Sequence, residues 1–150
     1  MKKQSLGFTL IELVVVITIL GVLAAFALPR FAAIQTEARI AKMNGGLATL
    51  KSAAILAHSL QISQQLAPNA SVTMEGATIN MENGYPNSAS IASAAGLASP
   101  DFEINTPAPT ATVFTLTPDT SHASCKIEYT AAAVGAQPTY TVSLLAANCA

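Results

Sequence analysis

Phe8 to Leu28 is a run of 21 residues in which every side chain is apolar or small except Thr9, Thr18 and Glu12. At 1.5 Å per residue a helix of this length spans about 30 Å, the thickness of the hydrocarbon core of a bilayer. Its β-branched residues do not argue for a strand, because the run is too long and has neither alternation nor turn residues. Length alone therefore gives a membrane anchor, and Glu12 is what an anchor does not explain. A carboxylate inside a span costs a few kcal/mol on insertion scales, less near the ends, and marks a functional position with a partner. No basic residue lies within Phe8–Leu28, so that partner comes from a terminus or from another chain. The plainer alternative is a carboxylate that snorkels toward the head groups.

Ahead of the run, Met1-Lys-Lys-Gln-Ser-Leu-Gly7 is short and basic, and it stops at Gly7-Phe8, before the apolar segment. An ordinary secretory signal is cut behind an apolar stretch of about 7–15 residues, at small residues. Ala24-Ala25-Phe26-Ala27 could supply such a site, but the apolar run here is longer than that. Lys2 and Lys3 ahead of the span predict a cytoplasmic N-terminus and a body on the other side.

Lys2-Lys3, Gly7 immediately before Phe8-Thr-Leu-Ile-Glu12, and the long apolar helix behind them resemble the N-terminus of type IV pilin and type II secretion pseudopilin precursors. The resemblance covers roughly the first third of the chain. It implies a membrane peptidase that cuts between Gly7 and Phe8 and methylates the new amine, leaving N-methylphenylalanine at Phe8. That amine, still cationic, is the partner Glu12 lacks: Glu12 of a subunit already in a filament attracts the amine of the incoming one. Phe8 and Glu12 are also one helical turn apart, so a contact within one chain is open too. In an apolar setting, removing one partner costs several kcal/mol.

The same resemblance implies an α+β fold, with a long N-terminal helix packed on a small antiparallel sheet. It divides the chain into a leader at 1–7, a transmembrane or filament-core helix at 8–28, an amphipathic helix at 29–66 and a β-rich head at 67–150. Implied partners are further copies in a helical homopolymer, the prepilin peptidase and methyltransferase, the inner-membrane assembly machinery, and a host or abiotic surface. The implied localisation is a single-pass inner-membrane precursor with a periplasmic head, then an extracellular filament. In pilins a glycine and a proline at the spacing of Gly21 and Pro29 bracket the segment that loses helix on assembly. A simple kink is the alternative, since Pro29 removes the hydrogen bond to the Ala25 carbonyl and Gly21 is a poor helix former.

Composition adds limits. The chain has 150 residues, 51% hydrophobic and 10% charged. Without the leader, Arg30, Arg39, Lys42, Lys51 and Lys126 face eight acids, a net side-chain charge of −3, and no basic cluster points to nucleic acid. Cys125 and Cys149 are the only cysteines, and an exported chain permits their pairing. In the chain-entropy model a loop of this size stabilises by roughly 3–4 kcal/mol. Disulfide-bounded C-terminal loops are the habit of pilins, and that favours a pilin over a pseudopilin. The bridge is expected to tie a strand to the C-terminal tail and to leave the enclosed loop as exposed surface. His122-Ala-Ser-Cys125 as a metal site, or Asp101, Glu103 and Asp119 as a calcium site, lacks a further cluster of ligands. No cofactor is expected, and no catalytic constellation is present in the sequence: no phosphate loop, no nucleophile with an evident base.

Beyond Pro29, Ile40, Met43, Leu47, Leu50, Ala54 and Ala57 alternate spacings of three and four and form one helical face. Phe31, Ile34, Ala38, Ala41 and Ala48 form a smaller-residue face for neighbouring helices. Glu37, Arg39, Lys42 and Lys51 are expected to be solvated, Gly45-Gly46 to mark a bend or close approach, and His58 to be structural. The helical pattern weakens after Leu60 and ends at Pro68-Asn69. Ser71–Glu82 reads as a hairpin about Glu75-Gly76, Asn83-Gly84-Tyr85-Pro86-Asn87 as a turn, and Ile91–Leu97 as a helix-like run. The Gly-Tyr-Pro and the Ala/Ser-rich run resemble the mannose-sensitive haemagglutinin subgroup of type IVa pilins. Asn69-Ala-Ser71 matches a glycosylation sequon. Ser99 to Pro109 reads as a turn-rich connector, followed by strands at Ala111–Thr117, Ser124–Ala131 and Thr139–Ala146. Their inward positions are expected at Val113 and Thr115; Cys125, Ile127 and Tyr129; and Tyr140, Val142 and Leu144.

The expected function is a structural subunit of a type IV pilus for attachment or motility. The alternatives are a type II secretion pseudopilin, or a minor pilin with an adhesin or DNA-uptake role. Gly7→Val is expected to leave the leader attached, read as an unshortened intact mass for the membrane-held chain; normal shortening in that variant would contradict the cleavage position.

Overall fold

A computed structural model describes residues 8–105 and 112–150. The leader residues Lys2, Lys3 and Gly7, and Pro107, Pro109 and Ala111 of the expected connector and strand, lie outside the described residues. The chain divides into two compact units, Met1–Gln35 and Thr36–Ala150.

One helix, α1, is assigned from Leu10 to Ser63. In the first unit every residue from Phe8 to Phe26 is exposed, and this is a helix long and apolar enough to cross a membrane. Thr18 donates its hydroxyl to the Val15 carbonyl at 2.8 Å, which satisfies the polar group inside its own helix. Gly21 and Pro29 both lie within the helical assignment. Proline has no N–H, so the Ala25 carbonyl loses its usual partner without ending the helix. A Cβ at Gly21 would meet nothing within 4 Å; in the isolated chain, packing does not require glycine there.

In the second unit α1 continues with the expected period. Met43, Leu50, Ala54 and Ala57 are buried, with Ile40 and Leu47 partly covered. The small-residue face is bare: Ala38, Ala41 and Ala48 are exposed, and in the first unit Phe31 and Ile34 are 62% and 59% exposed. Gln65, at φ 54°, breaks the helix. The Leu66 N–H donates to the Gln61 carbonyl and that of Gln65 to Ile62, at 3.1 and 3.0 Å. This is a Schellman stop with a non-glycine residue in the left-handed position. The buried Gln61 amide then donates to the carbonyls of Ala67, Pro68 and Ala70, fixing the chain as it leaves the helix.

Two short hairpins follow, β1 (Val72–Met74) with β2 (Ala77–Ile79), and β3 (Met81–Glu82) with β4 (Tyr85–Pro86). Their two-residue loops, Glu75-Gly76 and Asn83-Gly84, have positive φ at both positions, the geometry whose twist suits antiparallel strands. A short helix α2 (Ile91–Ala94) leads to a four-stranded antiparallel sheet in the order β5 (Glu103–Asn105), β6 (Val113–Thr117), β7 (Lys126–Thr130), β8 (Thr139–Ser143); α3 (Ala146–Cys149) closes the chain. The core joins Met43, Leu50 and Ala54 of α1 to Ile91, Phe114, Leu116, Ile127 and Tyr129. Full burial of side chains of this size contributes on the order of 2 kcal/mol each. The α+β class expected from the sequence is the class observed.

Four expectations are corrected. The connector at Ser99–Pro109 contains an edge strand, β5, paired with β6. The inward face of β6 is Phe114 and Leu116, both fully buried, while Val113 and, on β8, Val142, both expected inward, are 40% and 45% exposed. The register explains the phase: Phe114 lies opposite Tyr129 and Leu116 opposite Ile127, and opposed residues share a face. Arg39 and Lys42 are not merely solvated charges, because both make specific contacts with the head. Arg39 donates to the Cys149 carbonyl at 2.7 Å and lies 3.6 Å from Asp119; Lys42 donates to the Pro118 carbonyl at 3.1 Å and sits over the Phe102 ring. The hydrogen bond from His122 beside it holds the Asp119 carboxyl below the usual range. Finally, the segment between Cys125 and Cys149 is not mere surface loop, because it carries β7 and β8, including the buried Ile127 and Tyr129.

The glycine pair divides as a close approach rather than a bend. A Cβ at Gly46 would stand 2.9 Å from Leu116 Cδ2 and 3.2 Å from the Phe102 ring, whereas one at Gly45 meets nothing within 4 Å. In the full chain in detergent, Gly46→Val is expected to destabilise by about 1–3 kcal/mol, and Gly45→Ala to stabilise by about 0.5–1 kcal/mol. Urea midpoints of the two variants check both signs.

Candidate assembly site at the helix N-terminus

The first turn of α1 is built from Thr9-Leu-Ile-Glu12. The first N–H groups of a helix have no intrahelical partner, and here Thr9 and Glu12 satisfy them reciprocally. The Thr9 N–H donates to Glu12 Oε2 at 2.9 Å, and the Glu12 N–H donates to Thr9 Oγ1 at 3.3 Å. The Thr9 hydroxyl also donates to Glu12 Oε2, at 2.7 Å. This is a capping box, and a carboxylate there also meets the positive end of the helix dipole. The Thr-x-x-Glu spacing that builds it is present in the sequence.

The box changes what Glu12 costs. Its Oε2 accepts two hydrogen bonds from its own chain, while Oε1 has no partner among the described residues. Phe8, Ile11, Val15 and Val16 form an apolar patch about it. A carboxylate held in one orientation, half satisfied and half open among apolar side chains, is suited to receiving one cationic donor. Among the described residues no ion pair reaches it.

The remaining sequence-derived positions fall as follows. Phe8 precedes the box and is 91% exposed; Gly7 lies outside the described residues. Gly21 and Pro29 are further along the same helix and touch neither Glu12 nor each other in any recorded bond. Cys125 and Cys149, far away in sequence, are bridged, both fully buried. The metal alternatives gain nothing: His122 bonds Asp119 at 2.6 Å, Cys125 is in the disulfide, and among the described residues no three His, Cys, Asp or Glu side chains group as ligands. Asn69 of the sequon accepts the Asn83 N–H at 2.9 Å through its side-chain oxygen, which helps hold the β3–β4 turn.

Residues 2–28 match the family described as the prokaryotic N-terminal methylation motif. The chain is 45% identical over 54 residues to the major component of the type IV narrow pilus, PilA5, of Thermus thermophilus, covering 36% of this chain and 47% of that protein. It is 48% identical over 60 residues to the fimbrial protein EcpB of Eikenella corrodens, covering 39% and 37%. It is 47% identical over 47 residues to the type IV major alpha-pilin of Moraxella bovis, covering 31% and 30%. The matches thus span less than half the length of these relatives. No solved structure is significantly similar to the chain.

Replacing the cap should loosen only the first turn. Thr9→Ala is expected to cost about 1 kcal/mol of local helix stability. The check is faster amide exchange at 10–13 in detergent micelles, with residues 36–63 unchanged; equal protection in the variant would contradict the capping role.

Proposed function

We propose that this chain, a type IV pilin precursor by its N-terminal methylation motif and its curated relatives, is the structural subunit of a type IV pilus. The observation that carries the proposal is that motif joined to an apolar helix none of whose residues from Phe8 to Phe26 is buried. About 19 exposed residues of this kind need either a bilayer or other helices around them. The two environments correspond to two stages: a single-pass membrane precursor with its head outside the cytoplasm, and a filament of identical subunits.

The chemistry of the first turn supports the order of events. In the precursor the Phe8 nitrogen is an amide and carries no charge. Hydrolysis of the Gly7–Phe8 bond makes it an ammonium group, and methylation keeps the charge. The capping box survives that cut, because the N–H it uses belongs to Thr9. Glu12 of a resident subunit then offers Oε1 to the Phe8 ammonium of the next one, so a subunit docks only after maturation and in one axial register. Gly21 and Pro29 are the weak points at which the helix yields when subunits close on one another. The Cys125–Cys149 bridge holds the sheet's last two strands to the tail during extrusion and load.

The test is Glu12→Ala. It removes the open carboxylate and one half of the cap, and it is expected to yield a processed, membrane-held subunit and no wild-type-like filaments on the cell surface. Glu12→Gln separates the two roles, since it retains hydrogen bonding to Thr9 without the charge; assembly of either variant at wild-type levels would overturn the assigned role of Glu12.

A further inference from the structure

A second site lies within the unit Thr36–Ala150. Between α1 and the edge strand β8 is a cleft of about 340 Å³ whose walls include Tyr85, Tyr140, Lys51, Ile55 and Gln137. Tyr85 is held in place from behind: His58 stacks on it with ring centroids 4.2 Å apart, and His58 Nδ1 donates to the Gly84 carbonyl at 2.6 Å. Tyr140 is fixed edge-on to the buried Tyr129, centroids 5.5 Å apart, and Tyr129 is itself anchored by a hydrogen bond to the Pro86 carbonyl. The Lys51 ammonium stands 5.5 Å from the Tyr140 ring centroid. Two aromatic walls are therefore positioned by a second layer of contacts rather than left free on the surface.

The polar groups at this cleft are unspent. Among the described residues the Tyr85 and Tyr140 hydroxyls and the Gln137 amide make no hydrogen bond, and Lys51 makes no ion pair. The other lysines of the head are engaged, Lys42 with Pro118 and Lys126 with Glu128. No carboxylate lines the cleft. Its occupant must therefore be rich in acceptors, carry negative charge, and present an apolar face to aromatic rings. We propose that the cleft binds one carboxylated pyranose unit of an acidic polysaccharide. The C–H face of the ring lies against the electron-rich faces of the tyrosines, its carboxylate meets Lys51, and its hydroxyls meet Gln137 and the phenols. Nucleic acid is disfavoured, because tracking a phosphate backbone takes several cations. The cleft has one, and the side chains of the chain beyond the leader carry a net −3.

The chain has three tyrosines and no tryptophan; two line the cleft and the third, Tyr129, packs on Tyr140, so tyrosine emission is sensitive to the cleft. Full-length protein in detergent, and filaments sheared from cells, are titrated with oligogalacturonate, neutral maltooligosaccharide, inorganic phosphate and oligothymidylate. The expected result is a saturable change with oligogalacturonate alone, weakening as salt is raised. Lys51→Gln, an exposed substitution, is expected to weaken it about tenfold or more with unchanged circular dichroism, and Tyr140→Leu to abolish it. Response to phosphate or oligothymidylate at equal concentration, an unaltered affinity in Lys51→Gln, or no response in either preparation would overturn the proposal. So would binding to detergent-held protein but not to filaments, which would make the cleft a contact between subunits. The outcome does not depend on Glu12, so it is distinguishable from failure of the filament reading.

Discussion

A single carboxylate inside an apolar helix governs the N-terminal unit. Left alone in hydrocarbon, Glu12 would be expelled toward the interface or neutralised. The capping box offers a third solution: Oε2 is occupied by the Thr9 N–H and hydroxyl, and Oε1 is left open. Desolvation is thereby shared with the helix's own unsatisfied donors, and the remaining demand is for one cation at one place. Specificity in apolar surroundings comes from such unmet demands, because dispersion between helices has little preference for register. In the proposed filament an amine that exists only after proteolysis would meet that demand, which would make docking conditional on maturation.

In the second unit one face of α1 serves the head and another is left uncovered. One face of α1 is committed to the sheet through Met43, Leu50 and Ala54, with Gly46 admitting Leu116 and Phe102 to the backbone. Arg39 and Lys42, one turn apart, reach the Cys149 and Pro118 carbonyls. These bonds tie the C-terminal helix α3 and the residue after β6 to α1. The opposite face stays bare, with Ile55 and Leu56 63% and 59% exposed. Exposure on that scale along one face is costly in water and is relieved by other copies in the proposed filament.

Much of this was legible in the residues, and what was not has physical reasons. The two faces of the amphipathic helix follow from a period of 3.6, which a long element repeats many times. The phase of β6 was not legible, because five residues hold only two or three of each parity and Val113 competes with Phe114; the cross-strand partners Tyr129 and Ile127 decide it. β5 has a single apolar residue, Ile104, between Glu103 and Asn105, and edge strands carry little alternation. The roles of Arg39 and Lys42 were hidden because they bond to backbone carbonyls, which leave no mark in a sequence. At the N-terminus the Thr9-x-x-Glu12 spacing is in the sequence, but a lone pair at this spacing does not by itself show that the two side chains close on each other's N–H groups. The Cys125–Cys149 pair and the two strands between its cysteines were both legible, and those strands are what makes the bridged segment half of the sheet rather than surface loop.

The proposed filament depends on a cationic amine at Phe8 meeting an open carboxylate at Glu12. The most direct measurement is intact-mass analysis with terminal sequencing of the principal subunit in filaments sheared from the cell surface. A polypeptide that starts with N-methylated Phe8 and retains the Cys125–Cys149 bridge is the predicted result. Filaments whose subunit starts at any other residue, or keeps an uncharged end, would contradict it.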